Sequence, residues 1–368
     1  MMRKIILAIG LAAVSFWVVS PFWAAAPAAP IHVMILTGES AGAYHNWHAT
    51  TPALKAILDE AGIFDVQVVT TPKASGVLTN FHPDWSRYQA IVMNYDAPDG
   101  RWPEPLKQSF EQYVRNGGGL VIVHASDNAF PEWKAYNEMI GVGGWRGRNE
   151  TAGPHWFYKD GKLESSDAPG CAGRHGRRIP FLVKVRDPNN PIMRGLPGEW
   201  MHQGDELYAN LRGPGKNMTI LATAYSDPAN FGTGLNEPQL MVIRYGKGRV
   251  FHSTWGHDVM GLSSVDGIVT LQRGTEWAAT GRVTIPVPRN FPTADSVSYS
   301  VTIAKFDPNY VKGLNPLDMT MPSFGGLRGR GLRGRGLRLP SHPSTGLNGG
   351  TFCGFDERPP AQRPHTGR

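Results

Sequence analysis

The sequence predicts an α/β fold, a mostly parallel sheet with helices on both faces. Three observations predict it. From residue 31 onward, short apolar runs alternate with helix-length amphipathic stretches. One run, Leu120-Val121-Ile122-Val123, is apolar throughout, as a strand buried on both faces requires. The 368-residue chain is 41% hydrophobic and only 18% charged, so it can bury a large core.

The elements follow in order. Ile31-His32-Val33-Met34-Ile35-Leu36 reads as the first strand, ending at Thr37-Gly38. Thr51-Pro52 opens a helix through Ala61, with Leu54, Ile57 and Leu58 on one face and proline at an early helical position. Gly62 stops it. Phe64 to Val69 is a second strand and Ala90 to Asn94 a third. A helix from Pro103 to Asn116 stops at Gly117-Gly118-Gly119. The central strand, Leu120 to His124, follows, and Pro131 to Ile140 reads as a helix. Residues 141–180 are irregular and rich in Gly, Trp, Arg and His; an insertion of that length is functional or disordered. Strands return at Phe181–Val185, Met218–Thr223, Gln239–Tyr245 and Arg249–His252, the last two joined as a hairpin. Gly267 to Thr280 is the closing helix. This order suits a flavodoxin-like sheet.

The ends of the chain differ in kind from its middle. Arg3-Lys4 followed by the uncharged run Ile5 to Val19 reads as an export signal, with Ala26-Pro27-Ala28 offering the small residues for cleavage after Ala28. An uncleaved N-terminal anchor is the competing reading. Either one places the body outside the cytoplasm. Residues 322–368 carry eight Arg against Asp356 and Glu357 and repeat a Gly-Leu-Arg-Gly-Arg unit that cannot bury a core. This basic tail and the signal account for the net charge of +7, leaving residues 29–321 close to neutral. Nucleic-acid binding by the folded part is therefore not expected. The expected organisation is a signal at 1–28, one α/β domain at 29–285, an extended segment at 286–321 and a disordered tail at 322–368. No membrane contact is expected beyond the signal, and homo-oligomerisation is left open. The two cysteines, Cys171 and Cys353, read as free or incidental thiols, although export permits a disulfide.

Ligands of open α/β sheets bind outside the carboxyl ends of the strands. The polar residues there are Glu39 and Ser40 with His45, Asn46 and Trp47 after the first strand, and Asn94 and Asp96 after the third. His124, Ser126 and Asp127 follow the central strand, and Trp255, His257 and Asp258 follow the last one. Asp205-Glu206 lies between two later strands. Any one of these has an ordinary structural reading, as a turn cap or core residue. Their joint placement on several strand ends argues for a cleft.

A resemblance accompanies these residues. Ile35-Leu36-Thr37-Gly38 with His45-Asn46-Trp47, Asp84-Trp85-Ser86-Arg87-Tyr88, and Gly117 through Ala125 around the central strand resemble the ThuA-like, trehalose-utilisation family. Met139-Ile140-Gly141, Trp145, Asp205-Glu206-Leu207-Tyr208 and Gly246 through His257 extend the match over about residues 31–280. The resemblance implies a fold similar to class I glutamine amidotransferases and a role in using trehalose and related sugars, keto-sugars included. Those amidotransferases place a nucleophilic cysteine after the central strand. Here Val123-His124-Ala125-Ser126-Asp127 stands there, so a thiolate mechanism has no nucleophile. A Ser126-based hydrolase is disfavoured because the turn lacks small neighbours.

Two chemistries remain, each for a hydrolase or lyase acting on a glycoside or keto-glycoside. His124, His45, Glu206 and His257 act as acid and base, or His45, His124 and His257 with Glu206 or Asp258 hold a divalent ion such as zinc. Asn46, Trp47, Asn94, Asp96 and Trp255 are the candidate carbohydrate contacts, with Trp145 and Trp156 as further rings for stacking. A non-catalytic sugar-binding module on the same fold is the alternative. No Gly-rich dinucleotide fingerprint or Walker A motif occurs, so no nucleotide cofactor is expected.

Overall fold

The computed structural model describes residues 29–40, 44–73 and 76–310. In chain order the elements are β1 (Ile31–Thr37), α1 (Trp47–Glu60), β2 (Phe64–Thr70), β3 (Ala90–Met93), α2 (Glu104–Arg115) and β4 (Gly119–Val123). Then come α3 (Lys134–Ile140), β5 (His155–Lys159), β6 (Lys162–Ser166), β7 (Ile179–Val185), β8 (Glu199–Asp205) and β9 (Met218–Tyr225). The remainder is β10 (Asn236–Tyr245), β11 (Gly248–Ser253), α4 (Val259–Leu262), α5 (Val265–Thr280) and α6 (Val301–Ala304). The strands form one sheet in the order β2-β1-β3-β4-β11-β10-β9-β7-β8, with β5 and β6 attached to β10.

The first five strands of that order are mutually parallel, the arrangement expected of a flavodoxin-like sheet. From β11 onward the sheet continues antiparallel, beginning with the hairpin to β10 at Tyr245 and Gly248. Period-2 alternation splits each parallel strand between two cores. Val33, Ile35, Val121 and Val123 face one side with α1 and α5, and Met34, Leu36, Leu120 and Ile122 face the other with α2. Each fully buried side chain of this size contributes roughly 1.5–3 kcal/mol. Helix α2 presents Leu106, Phe110 and Val114, spaced four apart, to its core. Tryptophans contribute heavily, with Trp102 and Trp200 fully buried.

The structure moves several expected boundaries. Helix α1 begins at Trp47, about a turn before Thr51, and carries Pro52 inside it. The proline marks the early helix but not its first position. Residues 141–180 are not wholly irregular, since β5 and β6 pair as a hairpin. Its turn is Asp160-Gly161, both at positive φ, a type of turn that Asp-Gly favours. Strand β8 was not expected, because Gly204 and polar neighbours dilute its apolar signal. The packed part also runs past residue 285. Thr293 and Ser298 carbonyls accept bonds from Met201 and Val265, while Ile303 and Ala304 are buried. Prolines and polar residues around these anchors hide any periodicity. Cys171 is disulfide-bonded and is not a free thiol. Its sequence partner Cys353, the expected signal at 1–28 and the tail at 322–368 lie outside the described residues. Among the described residues no helix is long and apolar enough to cross a membrane.

Between β8 and α5 sits a buried ion system. The His202 ring lies 2.7 Å from Asp266 Oδ2 through Nδ1 and 3.5 Å from Asp205 Oδ2 through Nε2. Trp200 Nε1 donates to Asp266 at 2.8 Å, and Ser264 hydroxyl donates to the other oxygen. Burial opposes a charged His202, but the two carboxylates outweigh it and push its pKa up to about 9. A raised folded pKa stabilises below the unfolded value near 6.5 and loses that contribution as pH rises through about 9. Urea unfolding across this range should therefore show wild-type stability declining with pH. Asp266→Asn should cost about 3–5 kcal/mol at neutral pH and show a shallower decline. Equal slopes in the two proteins would contradict this account of His202.

Candidate functional site

Four side chains from four parts of the chain meet beyond the parallel strand ends. His45 follows β1 and stands just before the first turn of α1. Its carbonyl accepts a 2.6 Å bond from the Ser40 hydroxyl, which draws the loop closed. His124 is the first residue after central strand β4 and holds a left-handed backbone, φ 44°. A residue with a Cβ pays for that conformation in strain, and such strain gathers at functional positions. His257 follows β11 by way of Gly256, whose φ is 109°. A Cβ on Gly256 would sit 2.8 Å from Leu262 Cδ2, so the turn admits glycine. Glu206 follows β8.

The join between the last two is made by Asp205. Its Oδ1 accepts the backbone N–H of Glu206 at 2.8 Å and of His257 at 3.2 Å, and its Oδ2 accepts that of Gly256 at 2.7 Å. Burial favours the neutral acid, but His202, the field of His124 and these N–H donors hold the Asp205 pKa below its usual value.

One nitrogen or oxygen from each of His45, His124, Glu206 and His257 lies within 4.8 Å of all the others. The three imidazole centroids are 4.9–5.4 Å apart. Glu206 Oε2 lies 3.0 Å from His257 Nδ1 and 3.6 Å from His124 Nε2. His124 Nδ1 lies 2.7 Å from the Thr254 carbonyl, which holds the proton on that nitrogen and leaves Nε2 facing the cluster. Both ring nitrogens of His45 are buried without a hydrogen-bond partner, whereas His257 Nδ1 and His124 Nε2 face Glu206. Burial, with the nearby His124 and His257, brings the His45 pKa down to about 2, so its lone pair is available. Burial alone would raise Glu206, but bonding to His124 and His257 holds it far below the usual carboxylate range. For His124, burial opposes the charge, but Glu206 and Asp205 outweigh it and raise its pKa.

Other expected residues take structural roles. Trp255 is 3% exposed and stacks on His202 at 4.4 Å, so it is core and not a sugar platform. Asp258 does not join the cluster; it caps α4 through Gly261 N at 2.9 Å and pairs with Arg178. Asn94 donates to Thr50 and Thr51 in α1, which begins early enough to bring them within reach. Asp96 is buried against Arg146 at 2.7 Å. Trp156 donates to the Gly213 carbonyl, and Ser126 donates to the Met93 carbonyl, leaving no activated serine. Asn46 is exposed and Trp47 half-buried against His48 at the mouth.

Two neighbours, His175 and Tyr208, were not singled out from sequence as part of the centre, while Trp145 stands near it as an expected stacking ring. His175 Nε2 lies 3.7 Å from Glu206 Oε1 at an exposed position. Tyr208 lies 4.2 Å from the His124 ring, and Trp145 lies 4.4 Å from Tyr208 and 6.1 Å from His175. The Asp-Glu-Leu-Tyr string carried a signal for Tyr208. His175 sits in a loop with no periodicity to place it. Together these residues make a dry-walled, nitrogen-rich cluster with an aromatic flank. Three imidazoles and one carboxylate suit a borderline divalent ion.

Comparison with known proteins follows the same division of the chain. No curated protein matches. A ThuA-like protein from Parabacteroides merdae ATCC 43184 is 42% identical, with a TM-score of 0.70 over 74% of this chain and 98% of its own. A ThuA-like protein from Bacteroides uniformis ATCC 8492 is 17% identical, with a TM-score of 0.47 over 72% of this chain and 97% of its own. The family model described as trehalose utilisation matches residues 32–278, nearly all of the folded part, and the chain belongs to that ThuA family.

Proposed function

We propose that this protein is an exported carbohydrate-active enzyme that works on a glycoside or keto-glycoside with a divalent metal held by His45, His124, Glu206 and His257. One observation carries the reading: four ligand atoms converge within 4.8 Å, and the His45 ring among them is buried with neither nitrogen hydrogen-bonded. Buried polar atoms are ordinarily paired, so an unpaired imidazole beside three further ligand atoms calls for a partner they can share. The family supports a carbohydrate ligand. The uncharged N-terminal run and the small residues at Ala26-Pro27-Ala28 support export.

A bound divalent ion polarises a sugar carbonyl or hydroxyl and so makes an adjacent proton or leaving group easier to remove. The chain's own residues do the rest. The Thr254 carbonyl fixes the His124 tautomer, and Asp205 fixes where Glu206 and His257 stand. Tyr208 covers one face of His124 and keeps water from it. Trp145, half-buried beside Tyr208 and His175, offers an apolar ring for one face of a sugar, and exposed His175 and Asn46 offer hydrogen bonds to its hydroxyls.

Metal analysis of protein purified without chelator should find about one divalent ion per chain, and removal by chelator should lower the melting temperature. Glu206→Gln and His257→Ala should each weaken binding of zinc or manganese at least about tenfold, with the fold retained by circular dichroism. Absence of both metal and metal-induced stabilisation would leave only the metal-free pair His124 and Glu206 as acid and base.

His124→Asn is the sharper test of turnover, because asparagine tolerates the left-handed backbone that alanine does not. It should reduce turnover of a responsive sugar by at least about a thousandfold. Saturable sugar binding without product, unchanged in that variant, would instead make the protein a non-catalytic sugar-binding module. Terminal sequencing of the exported protein should begin at Ala29.

A further inference from the structure

A cleft of about 470 Å3 is lined by Arg174, the neighbour of His175 in sequence, and by Asn210. Its walls include His155, Gly170, Arg174, Asn210, Arg212 and Thr233, and among the described residues no carboxylate lines it. Arg212 is the unusual member. It is 4% exposed, and its Nη2 donates to the Ala168 carbonyl at 2.6 Å. Its Nε and Nη1 have no acceptor. A buried guanidinium with donors left unmatched is costly unless something supplies charge and lone pairs.

The nearby carboxylates are already engaged. Glu237 Oε2 accepts the Asn210 N–H at 3.1 Å and lies 2.9 Å from His155 Nε2, and its Oε1 accepts the Thr233 hydroxyl at 2.6 Å. Glu150, whose charge acts on Arg212 only at a distance, accepts the Gly170 N–H at 2.9 Å. The position of Arg212 is firmly set. Its backbone bridges Gly143 on one side and His155 on the other. Arg174, across the cleft, is held by its bridge to Ala209, while its side chain reaches solvent and makes no ion pair among the described residues.

We propose that this cleft binds an oxyanion, the carboxylate of a sugar acid or a sulfate or phosphate ester. Neutral acceptors would leave the guanidinium charge unmatched. An oxyanion supplies both charge and lone pairs, and charge-assisted bonds to a planar guanidinium are about twice as strong as neutral ones. The cleft adjoins two residues that flank the cluster of His45, His124, Glu206 and His257. Arg174 adjoins His175, and Asn210 lies two residues beyond Tyr208.

The test is calorimetric titration of the full-length protein with sodium sulfate, sodium phosphate and sodium acetate at constant ionic strength. Saturable binding of at least one is expected, and preference for acetate over the tetrahedral ions would point to a sugar acid. Arg174→Ala should weaken binding about tenfold, a loss of about 1.4 kcal/mol, and Arg212→Gln should weaken it at least as much. His257→Ala should bind as wild type, which separates the cleft from an ion held by the metal cluster. If Arg212→Gln does not fold, the solvent-facing Arg174→Ala decides alone. The proposal is overturned by absence of saturable binding, by arginine variants that bind as wild type, or by loss of binding in His257→Ala.

Discussion

The candidate site depends on one buried carboxylate. Asp205 gathers the backbone N–H groups of Glu206, Gly256 and His257, and without it those donors would be buried unpaired. Glu206 follows β8, which sits at the opposite end of the strand order from β1 and β3. The carboxylate is what makes a residue from that edge strand the neighbour of residues from the parallel centre. Two glycines permit the approach. A Cβ on Gly261 would meet Asp205 Oδ2 at 2.5 Å, and one on Gly256 would strike Leu262. The negative charge of Asp205 is in turn balanced by His202, which Asp266 anchors from behind. The site therefore stands on an ion system that lies outside its four converging side chains.

Much of this was legible in the sequence, for a physical reason. In a parallel sheet every strand points the same way, so residues after successive strands share one edge. That rule is enough to bring His45, His124 and His257 together. It does not say which residue at that edge faces inward. Trp255 reads like a sugar platform because core and cleft both favour a large aromatic. The His202 ring beneath it decides the matter, and that stacking joins two strands far apart in sequence. Asn94 and Asp258 are similar cases. A polar side chain after a strand can cap, brace or catalyse, and here Thr50, Thr51 and Gly261 N claim them. His175 escaped because a long loop without periodicity gives no direction to its side chains.

Position 124 shows how the fold and the chemistry meet. The resemblance to class I glutamine amidotransferases places a nucleophilic cysteine at the turn after the central strand. Here the turn has a left-handed backbone, φ 44°, and presents an imidazole. Strain at a single residue is of order 1–3 kcal/mol, and it persists only where the surroundings over-determine the geometry. They do so at His124. The Thr254 carbonyl holds Nδ1, Tyr208 covers the ring, and the buried strand fixes the backbone. The sharp turn projects its side chain beyond the sheet whatever that side chain is, so a change of residue can change the chemistry while the scaffold stays.

Charge balance then limits what the cluster can be. Glu206 is buried, and a carboxylate in that setting must have a positive partner or take up a proton. His45 cannot provide the charge, because burial and two neighbouring imidazoles keep it neutral. The partner is either a proton shared with the other histidines or a divalent ion held by all four groups. The proton satisfies one nitrogen and leaves the two ring nitrogens of His45 buried with nothing to bond. A divalent ion would engage one lone pair on every ring and balance Glu206 at the same time. On the proposed reading, a shared ion would give His45, which burial keeps neutral, a reason to stand beside His124 and His257.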